Sequence, residues 1–183
     1  IMAQVIAFLV VVATILVLRP FAIRVGFLDA PGGRKQHIRS VPLVGGIAIF
    51  VGFIVALVYP QYQADVYLAL LTGMAMLVIT GIIDDFKDLK VLIKLFAQIS
   101  AAGIMIFWGG NTIEQVGDLF GLGTVPLGIF AVPFTALCTV GMINAMNMSD
   151  GSDGLAGGLA LIALFFFYLL AYATDQTSLT YLI

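Results

Sequence analysis

The chain has 183 residues, of which 62% are hydrophobic and 10% are charged, and its formal net charge is −2. A soluble domain carries about 25% charged residues, so this chain has too little polar surface for a water-soluble globule, and lipid must solvate much of it. The net charge gives no reason to expect a nucleic-acid partner, and the lone cysteine, Cys138, excludes an internal disulfide and a cysteine metal cluster.

Six apolar segments are long enough, or nearly so, to cross a bilayer, which takes about 20 mostly apolar residues. They are Met2–Leu18, Leu43–Tyr59, Val66–Ile83, Leu95–Trp108, Leu127–Met142 and Leu155–Ala173, and Leu179–Ile183 resembles the start of a seventh. The first segment is longer than the apolar part of a signal peptide and has no basic residues before it, so we predict a retained helix. The sequence predicts an all-α integral membrane protein, a polytopic bundle with a single transmembrane domain over residues 1–183.

All eight basic residues fall on one side of the membrane if these segments alternate in direction. They are Arg19, Arg24, Arg34, Lys35, Arg39, Lys87, Lys90 and Lys94. The positive-inside rule places that side in the cytoplasm and the N-terminus outside. We therefore predict a multi-pass protein with cytoplasmic loops at about residues 19–42, 84–94 and 143–154.

The first candidate site is the Asp84-Asp85 pair, which follows the apolar segment Val66–Ile83. An Asp side chain costs roughly 2.5–3.5 kcal/mol at the centre of a bilayer and less near its edge. Neighbouring carboxylates repel each other, so one tends to keep a proton or to recruit a cation, which suits a general base or a magnesium site. A polar helix end with Lys87 as the local ion partner is the structural alternative.

The second candidate is the run from Asn144 to Leu155, which is dense in Asn, Asp and Gly. Asn144 and Asn147 are three residues apart, as are Asp150 and Asp153, so each pair shares a face on a helical turn. The run opens a new helix whose N-terminal N–H groups favour anions. Two Asp side chains would repel a bare phosphate, so a cation or the recognition of hydroxyl and amide groups is predicted; a structural turn is the alternative.

The third candidate is the basic segment around Arg34 to Arg39, which includes His37. One interpretation is that its cations set the membrane topology and attract anionic lipid. The other is that they bind the phosphate of a nucleotide or of a polyprenyl lipid. The two roles do not exclude each other. Lys94 stands among apolar residues, so we expect it to extend to the membrane interface. At that interface it is well placed to bind a lipid phosphate.

Together these motifs resemble those of the polyprenyl-phosphate N-acetylhexosamine-1-phosphate transferases. The resemblance covers essentially the whole chain, and its motifs are Val41–Gly46, Gly81–Asp85, Lys94 with Gln98, and Asn144–Gly158. The chain is more similar to the UDP-GlcNAc enzymes that start O-antigen, common-antigen or teichoic-acid linkage synthesis than to the phospho-MurNAc-pentapeptide translocase. That translocase usually has Thr and Met where Leu43 and Val44 stand here.

The resemblance implies a bacterial inner-membrane enzyme with its active site facing the cytoplasm. It transfers a sugar-1-phosphate, first of all GlcNAc-1-phosphate, from a UDP-sugar to undecaprenyl phosphate and releases UMP, with Mg²⁺ as cofactor and Mn²⁺ as the alternative ion. By position, the resemblance makes Asp84 and Asp85 the catalytic pair and Asn147 a metal ligand. The expected substrate-binding residues are Lys94 at the lipid phosphate, Asp150 and Asp153 at the nucleotide sugar, and Asn144 and His37.

Two further family motifs, a Gly-Asp element and a later cytoplasmic loop with His or Arg, do not occur before Ile183. We therefore expect these 183 residues to be part of a longer enzyme and inactive alone. The expected partners are a UDP-N-acetylhexosamine, undecaprenyl phosphate and the lipid bilayer, with a homodimer as the candidate assembly. The alternatives are the pentapeptide translocase activity, a membrane transporter with the Asp84-Asp85 pair on an ion path, and a non-enzymatic scaffold.

Overall fold

The computed structural model describes residues 2–29, 41–58, 64–118, 121, 123–149 and 154–174. Within these residues the chain forms the helices α1 (Met2–Val25), α2 (Gly45–Val58), α3 (Ala64–Lys87), α4 (Val91–Phe107), α5 (Ala131–Ser149) and α6 (Leu155–Ala173). Two short strands, β1 (Leu28–Asp29) and β2 (Val41–Pro42), pair antiparallel between α1 and α2, and a 3₁₀ turn at Gly128–Phe130 precedes α5. The predicted all-α class is confirmed.

Four of the described helices are long and apolar enough to cross a membrane by length and composition. These candidate spans are Gln4–Val25, Tyr67–Lys87, Gly128–Ser149 and Leu155–Ala173. Helices α2 and α4 are apolar but have 14 and 17 residues, which gives lengths of about 21 and 26 Å against a hydrocarbon core of about 30 Å. A membrane protein with several spans is therefore supported. Six complete spans and the outward N-terminus stay predictions. The predicted start of a seventh span, Leu179–Ile183, lies outside the described residues.

Three helices extend beyond their apolar segments: α1 ends at Val25, α3 at Lys87 and α5 at Ser149. Helix α4 begins at Val91, so it also occupies part of a predicted loop. The segments predicted as loops at 19–42, 84–94 and 143–154 are thus partly helical. The reason is that hydropathy marks where lipid chains surround a helix, whereas backbone hydrogen bonding continues into the interface, where long cationic side chains reach water.

The chain divides into two compact units, residues 1–60 with 144–183 and residues 61–143. The first unit contains α1, the paired strands, α2, the last residues of α5, and α6. The second contains α3, α4 and most of α5. The predicted catalytic pair therefore lies in the second unit.

In the first unit, α1 packs against α2 through small residues. A Cβ atom at Gly52 would overlap Cγ2 of Val11 and lie 3.2 Å from the carbonyl oxygen of Ala7. Ala22 of α1 and Ala48 of α2 are also buried. Because lipid is as apolar as the side chains, helices in a membrane associate largely through such close backbone approach.

In the second unit, α3 and α4 form a hairpin that brings two helix ends together. A Cβ atom at Gly73 would lie 3.5 Å from the carbonyl oxygen of Ala101 and 3.8 Å from Cγ of Met105, in ordinary contact. Ala69 is fully buried, and Ala97 is buried as well. The small residues and the short connection between the helices place the end of α3 beside the start of α4.

The contact at Gly52 generates a stability prediction. Gly52→Ala should lower the apparent Tm of the full-length protein in detergent, because overpacking costs about 1–3 kcal/mol and Val11 has one strongly preferred rotamer in a helix. Gly46→Ala is the matched control, since nothing lies within 4 Å of its added Cβ and alanine favours helix. Equal Tm values for the two variants would contradict the proposed packing.

Candidate active site

The end of α3 and the start of α4 meet through one ion pair. Asp84 lies in the last turn of α3 and Lys94 in the first turn of α4. Nζ of Lys94 donates a hydrogen bond to Oδ2 of Asp84 at 2.8 Å, and the two side chains are 34% and 25% exposed. Two of the predicted site residues, ten apart in sequence, are thus in direct contact.

The second carboxylate oxygen of Asp84 holds the turn between the helices. The backbone N–H of Leu89 donates to Oδ1 of Asp84 at 2.9 Å, and the N–H of Asp88 donates to the backbone carbonyl of Asp84 at 2.8 Å. Hydrogen bonds to a charged acceptor are stronger than those between neutral groups. The Asp84 side chain is therefore fixed at both of its oxygens.

Asp88 adopts a left-handed backbone conformation with φ of 48°, the one non-glycine residue with positive φ in the described part of the chain. Its bond to the Asp84 carbonyl closes the last turn of α3 in the manner of an αL cap. Lys90 then takes an extended conformation before α4 begins. This sequence of dihedral angles reverses the chain within a few residues and sets the separation of Asp84 and Lys94.

Asp85 occupies a different position from Asp84 although the two are neighbours. Consecutive residues on an α-helix point about 100° apart, so the turn and α4 contact Asp84 while Asp85 is exposed. Phe86 is 58% exposed at the same helix end. A ligand that arrives at this end of α3 can therefore reach Asp85.

Asn144 and Asn147 lie near the C-terminal end of α5, in the unit that does not contain Asp84. Asn144 is partly buried and Asn147 is exposed, and their spacing places them on one face of the helix. Gly154, with φ of 78°, caps the start of α6. Amide side chains predicted for a loop thus stand on a regular helix.

A profile of glycosyl transferase family 4 matches residues 67–183. The chain belongs to this family. An undecaprenyl-phosphate alpha-N-acetylglucosaminyl 1-phosphate transferase of Yersinia pestis is 36% identical to it over 172 residues, which cover 94% of this chain and 47% of the relative. The enzyme of the same name from Escherichia coli K12 is 34% identical over 164 residues, 88% of this chain and 44% of the relative.

A probable undecaprenyl-phosphate N-acetylglucosaminyl 1-phosphate transferase of Bacillus subtilis 168 is 35% identical over 165 residues, 87% of this chain and 46% of the relative. The chain spans about half the length of the curated relatives that it matches. No solved structure matches it. The resemblance found in the sequence is confirmed at the level of the family.

Not all predicted site residues of this family 4 member can be placed. Asp150, Asp153 and His37 lie outside the described residues, and their roles stay predictions. Sequence reasoning did not find the Leu89 N–H as a partner of Asp84, nor the left-handed Asp88. The sequence did contain a signal for the left-handed residue. Asp88 directly follows the polar end of an apolar helix, and Asp tolerates the left-handed conformation better than most residues.

The donor atoms in the chain suit magnesium, which is the metal expected for the family. Mg²⁺ is usually held by one or two protein carboxylates together with substrate phosphates and water. The Asn147 amide oxygen is a donor of the required type, and its side chain is exposed. Within the described ranges no group of three His, Cys, Asp or Glu side chains comes together, and a site completed by substrate phosphates does not need one.

The conformation of Asp88 generates the second prediction. Asp88→Gly should give a more stable full-length protein than Asp88→Ala, by about 1 kcal/mol, because a Cβ atom disfavours the left-handed region. The comparison is repeated at Asp118, an exposed residue without positive φ, where the alanine variant should be at least as stable as the glycine variant. Thermal unfolding in one detergent measures the stability of the Gly and Ala variants at both positions. If the Ala variant were at least as stable as the Gly variant at position 88 as well, Asp88 would not be left-handed.

Proposed function

We propose that the protein to which this chain belongs transfers a sugar-1-phosphate, with GlcNAc-1-phosphate as the first candidate, from a UDP-sugar to undecaprenyl phosphate. UMP is released, and the product starts the synthesis of a cell-surface polysaccharide. One observation carries the proposal: the hairpin of α3 and α4 holds a carboxylate–lysine pair, Asp84 and Lys94, with the exposed Asp85 beside it. This group stands at the end of a helix apolar enough to span a membrane.

The chemistry of the reaction explains why such a group is useful. An oxygen of undecaprenyl phosphate attacks the sugar-bound phosphorus of the UDP-sugar, the bond between the two phosphates breaks, and UMP leaves. Phosphoryl transfer depends on alignment of the reacting oxygens and on neutralisation of negative charge. Lys94 supplies positive charge for the lipid phosphate, and Asp85 accepts the proton of that phosphate or orients it.

The lipid acceptor accounts for the position of the group. The polyprenyl tail stays in the bilayer, so its phosphate is presented at the membrane surface and not in free solution. The names of the relatives support undecaprenyl phosphate as the acceptor and GlcNAc-1-phosphate as the transferred group. They favour this activity over the pentapeptide translocase.

The donor, the cofactor and the location complete the proposal. The donor is a UDP-N-acetylhexosamine, and from the family's motifs we expect Asp150, Asp153, Asn144 and His37 to bind it. Asn147 would hold Mg²⁺, which would supply positive charge for the diphosphate. The cytoplasmic face of the bacterial inner membrane is supported by the basic residues Arg19, Arg24, Lys87, Lys90 and Lys94 and by the bacterial relatives; a homodimer stays a prediction from the sequence.

UMP release by the full-length protein tests this function. With UDP-GlcNAc, undecaprenyl phosphate and Mg²⁺ we expect release that needs all three. Asp85→Asn should lower the rate about 10²–10⁴-fold, the range for loss of a positioned acid or base. Asp118→Asn removes an exposed carboxylate elsewhere in the same unit and should leave the rate unchanged. If folded protein releases no UMP from any UDP-sugar, the transferase function is excluded.

The assignment of Asn147 makes a separate prediction. Asn147→Ala should raise the Mg²⁺ concentration for half-maximal activity by about tenfold or more, because even the loss of a residue that only hydrogen-bonds a metal ligand costs about 10–100-fold in metal affinity or activity. Ser149→Ala is the control, because its hydroxyl already donates to the Ala145 carbonyl at 2.9 Å. An unchanged Mg²⁺ dependence in Asn147→Ala would remove this residue from the metal site.

A further inference from the structure

We propose that the two ends of the segment joining α4 to α5 form a phospholipid-binding surface at the headgroup boundary of the membrane. This surface, the interfacial patch, consists of Phe107, Trp108, Ile129 and Phe130. Trp108 follows the last residue of α4 and lies about 21 Å along the helix axis from Lys94, at a rise of 1.5 Å per residue. The patch therefore lies at the other end of the α3–α4 hairpin from the candidate active site, and its contact with lipid does not depend on the transfer reaction.

The first step is the depth at which the chain leaves α4. A Cβ atom at Gly109 would lie 3.3 Å from Cβ of Ala69, which belongs to α3 and to the candidate span Tyr67–Lys87. Helix α4 has 17 residues, which gives a length of about 26 Å against a hydrocarbon core of about 30 Å. The chain thus turns away from α4 beside the membrane-spanning part of α3, and not beyond it.

The second step is a contact with α5. The N–H of Ile113 donates to Oγ1 of Thr135 at 2.9 Å, and the same hydroxyl donates to the carbonyl of Ala131 at 2.7 Å. A helical side chain covers the turn N-terminal to its own Cα, so Ile113 lies beside the first turn of α5, within the candidate span Gly128–Ser149. An unpaired N–H at membrane depth is costly, and the Thr135 hydroxyl supplies the partner.

The third step is the pairing of the chain between these contacts. The N–H of Val116 donates to the carbonyl of Val125 at 3.1 Å, and the N–H of Leu127 donates to the carbonyl of Glu114 at 2.8 Å. Non-helical backbone is tolerated at membrane depth only where its polar groups are satisfied or shielded. The carboxylates of Glu114 and Asp118 are exposed, which places the middle of the segment toward water and its two ends at the membrane boundary.

The fourth step is the chemistry of the patch. Its four side chains are each more than half exposed, and aromatic residues, Trp above all, are enriched where a membrane meets water. Ile129 and Phe130 are also among the first residues of the candidate span Gly128–Ser149, so the patch continues the apolar surface of α5. No Lys or Arg follows Lys94 in the sequence. The contact is therefore apolar, and it does not rely on attraction to anionic lipid.

Quenching of Trp108 fluorescence tests the proposal in the full-length protein, held in phosphatidylcholine nanodiscs. Trp108 is the single tryptophan of these 183 residues, and subtraction of the Trp108→Phe signal isolates it. We expect a larger fractional loss of fluorescence with lipids brominated near the headgroup than with lipids brominated near the chain end. The matched control is Ile99→Trp in the Trp108→Phe background, at an exposed position near the middle of α4, where the order should reverse.

Thiol labelling provides a second measurement at the other end of the segment. Ile129→Cys should react with a water-soluble maleimide at least about tenfold more slowly than Asp118→Cys, because the reactive thiolate is disfavoured in apolar surroundings. Nanodiscs leave both membrane faces open to the reagent, and labelling of the unsubstituted protein gives the background from Cys138. In denaturant the two variants should react at equal rates.

Each other outcome overturns the proposal. Equal labelling at positions 118 and 129 in nanodiscs, with Trp108 quenched by acrylamide and not by brominated lipid, would place the patch in water. Protection of Ile129→Cys without quenching by brominated lipid would mean that a second copy or another protein covers the patch. Quenching that requires anionic lipid would exclude an apolar contact. Should Ile129→Cys fail to fold, the Trp108 measurement decides alone.

Discussion

The close approach of α3 and α4 is the constraint on which the candidate site depends. A Cβ atom at Gly73 would lie 3.5 Å from the carbonyl oxygen of Ala101, and Ala69 is fully buried, so small residues let the two helices approach closely at these positions. A partly exposed ion pair contributes about 0–1 kcal/mol, too little to bring two helices together. The packing therefore creates the contact between Asp84 and Lys94, and the contact serves to orient the two side chains.

The membrane explains why these groups stand at helix ends. A carboxylate or ammonium in the middle of a bilayer is costly, and the cost falls toward the interface. The last turn of α3 and the first turn of α4 lie at one end of this hairpin, where a regular backbone still holds the side chains. Residues on helices are placed more reproducibly than residues on loops, and alignment of reacting groups is a large part of phosphoryl transfer.

The sequence predicted the helical membrane class and the family, because apolar segments and the Asp84-Asp85 and Asn144–Gly158 motifs are local features. It did not predict the helix ends, because hydropathy reports contact with lipid, and α3 and α5 continue as polar helix past that region. Nor did it predict that Asp84 pairs with Lys94. Other lysines are nearer in sequence, and the pairing depends on the left-handed conformation of Asp88 and the extended one of Lys90, which depend on the packed hairpin.

A pair of adjacent Asp residues meets two requirements that one residue cannot meet. On a helix the two side chains diverge by about 100°, so one can turn to the neighbouring helix while the other stays accessible. Two bare carboxylates at this distance repel each other, and the ammonium of Lys94, 2.8 Å from Asp84, offsets the charge of the inner one. Asp85 then stands exposed beside a neutralised carboxylate, and in the described part of the chain Asp84 takes one of the three donors of the Lys94 ammonium.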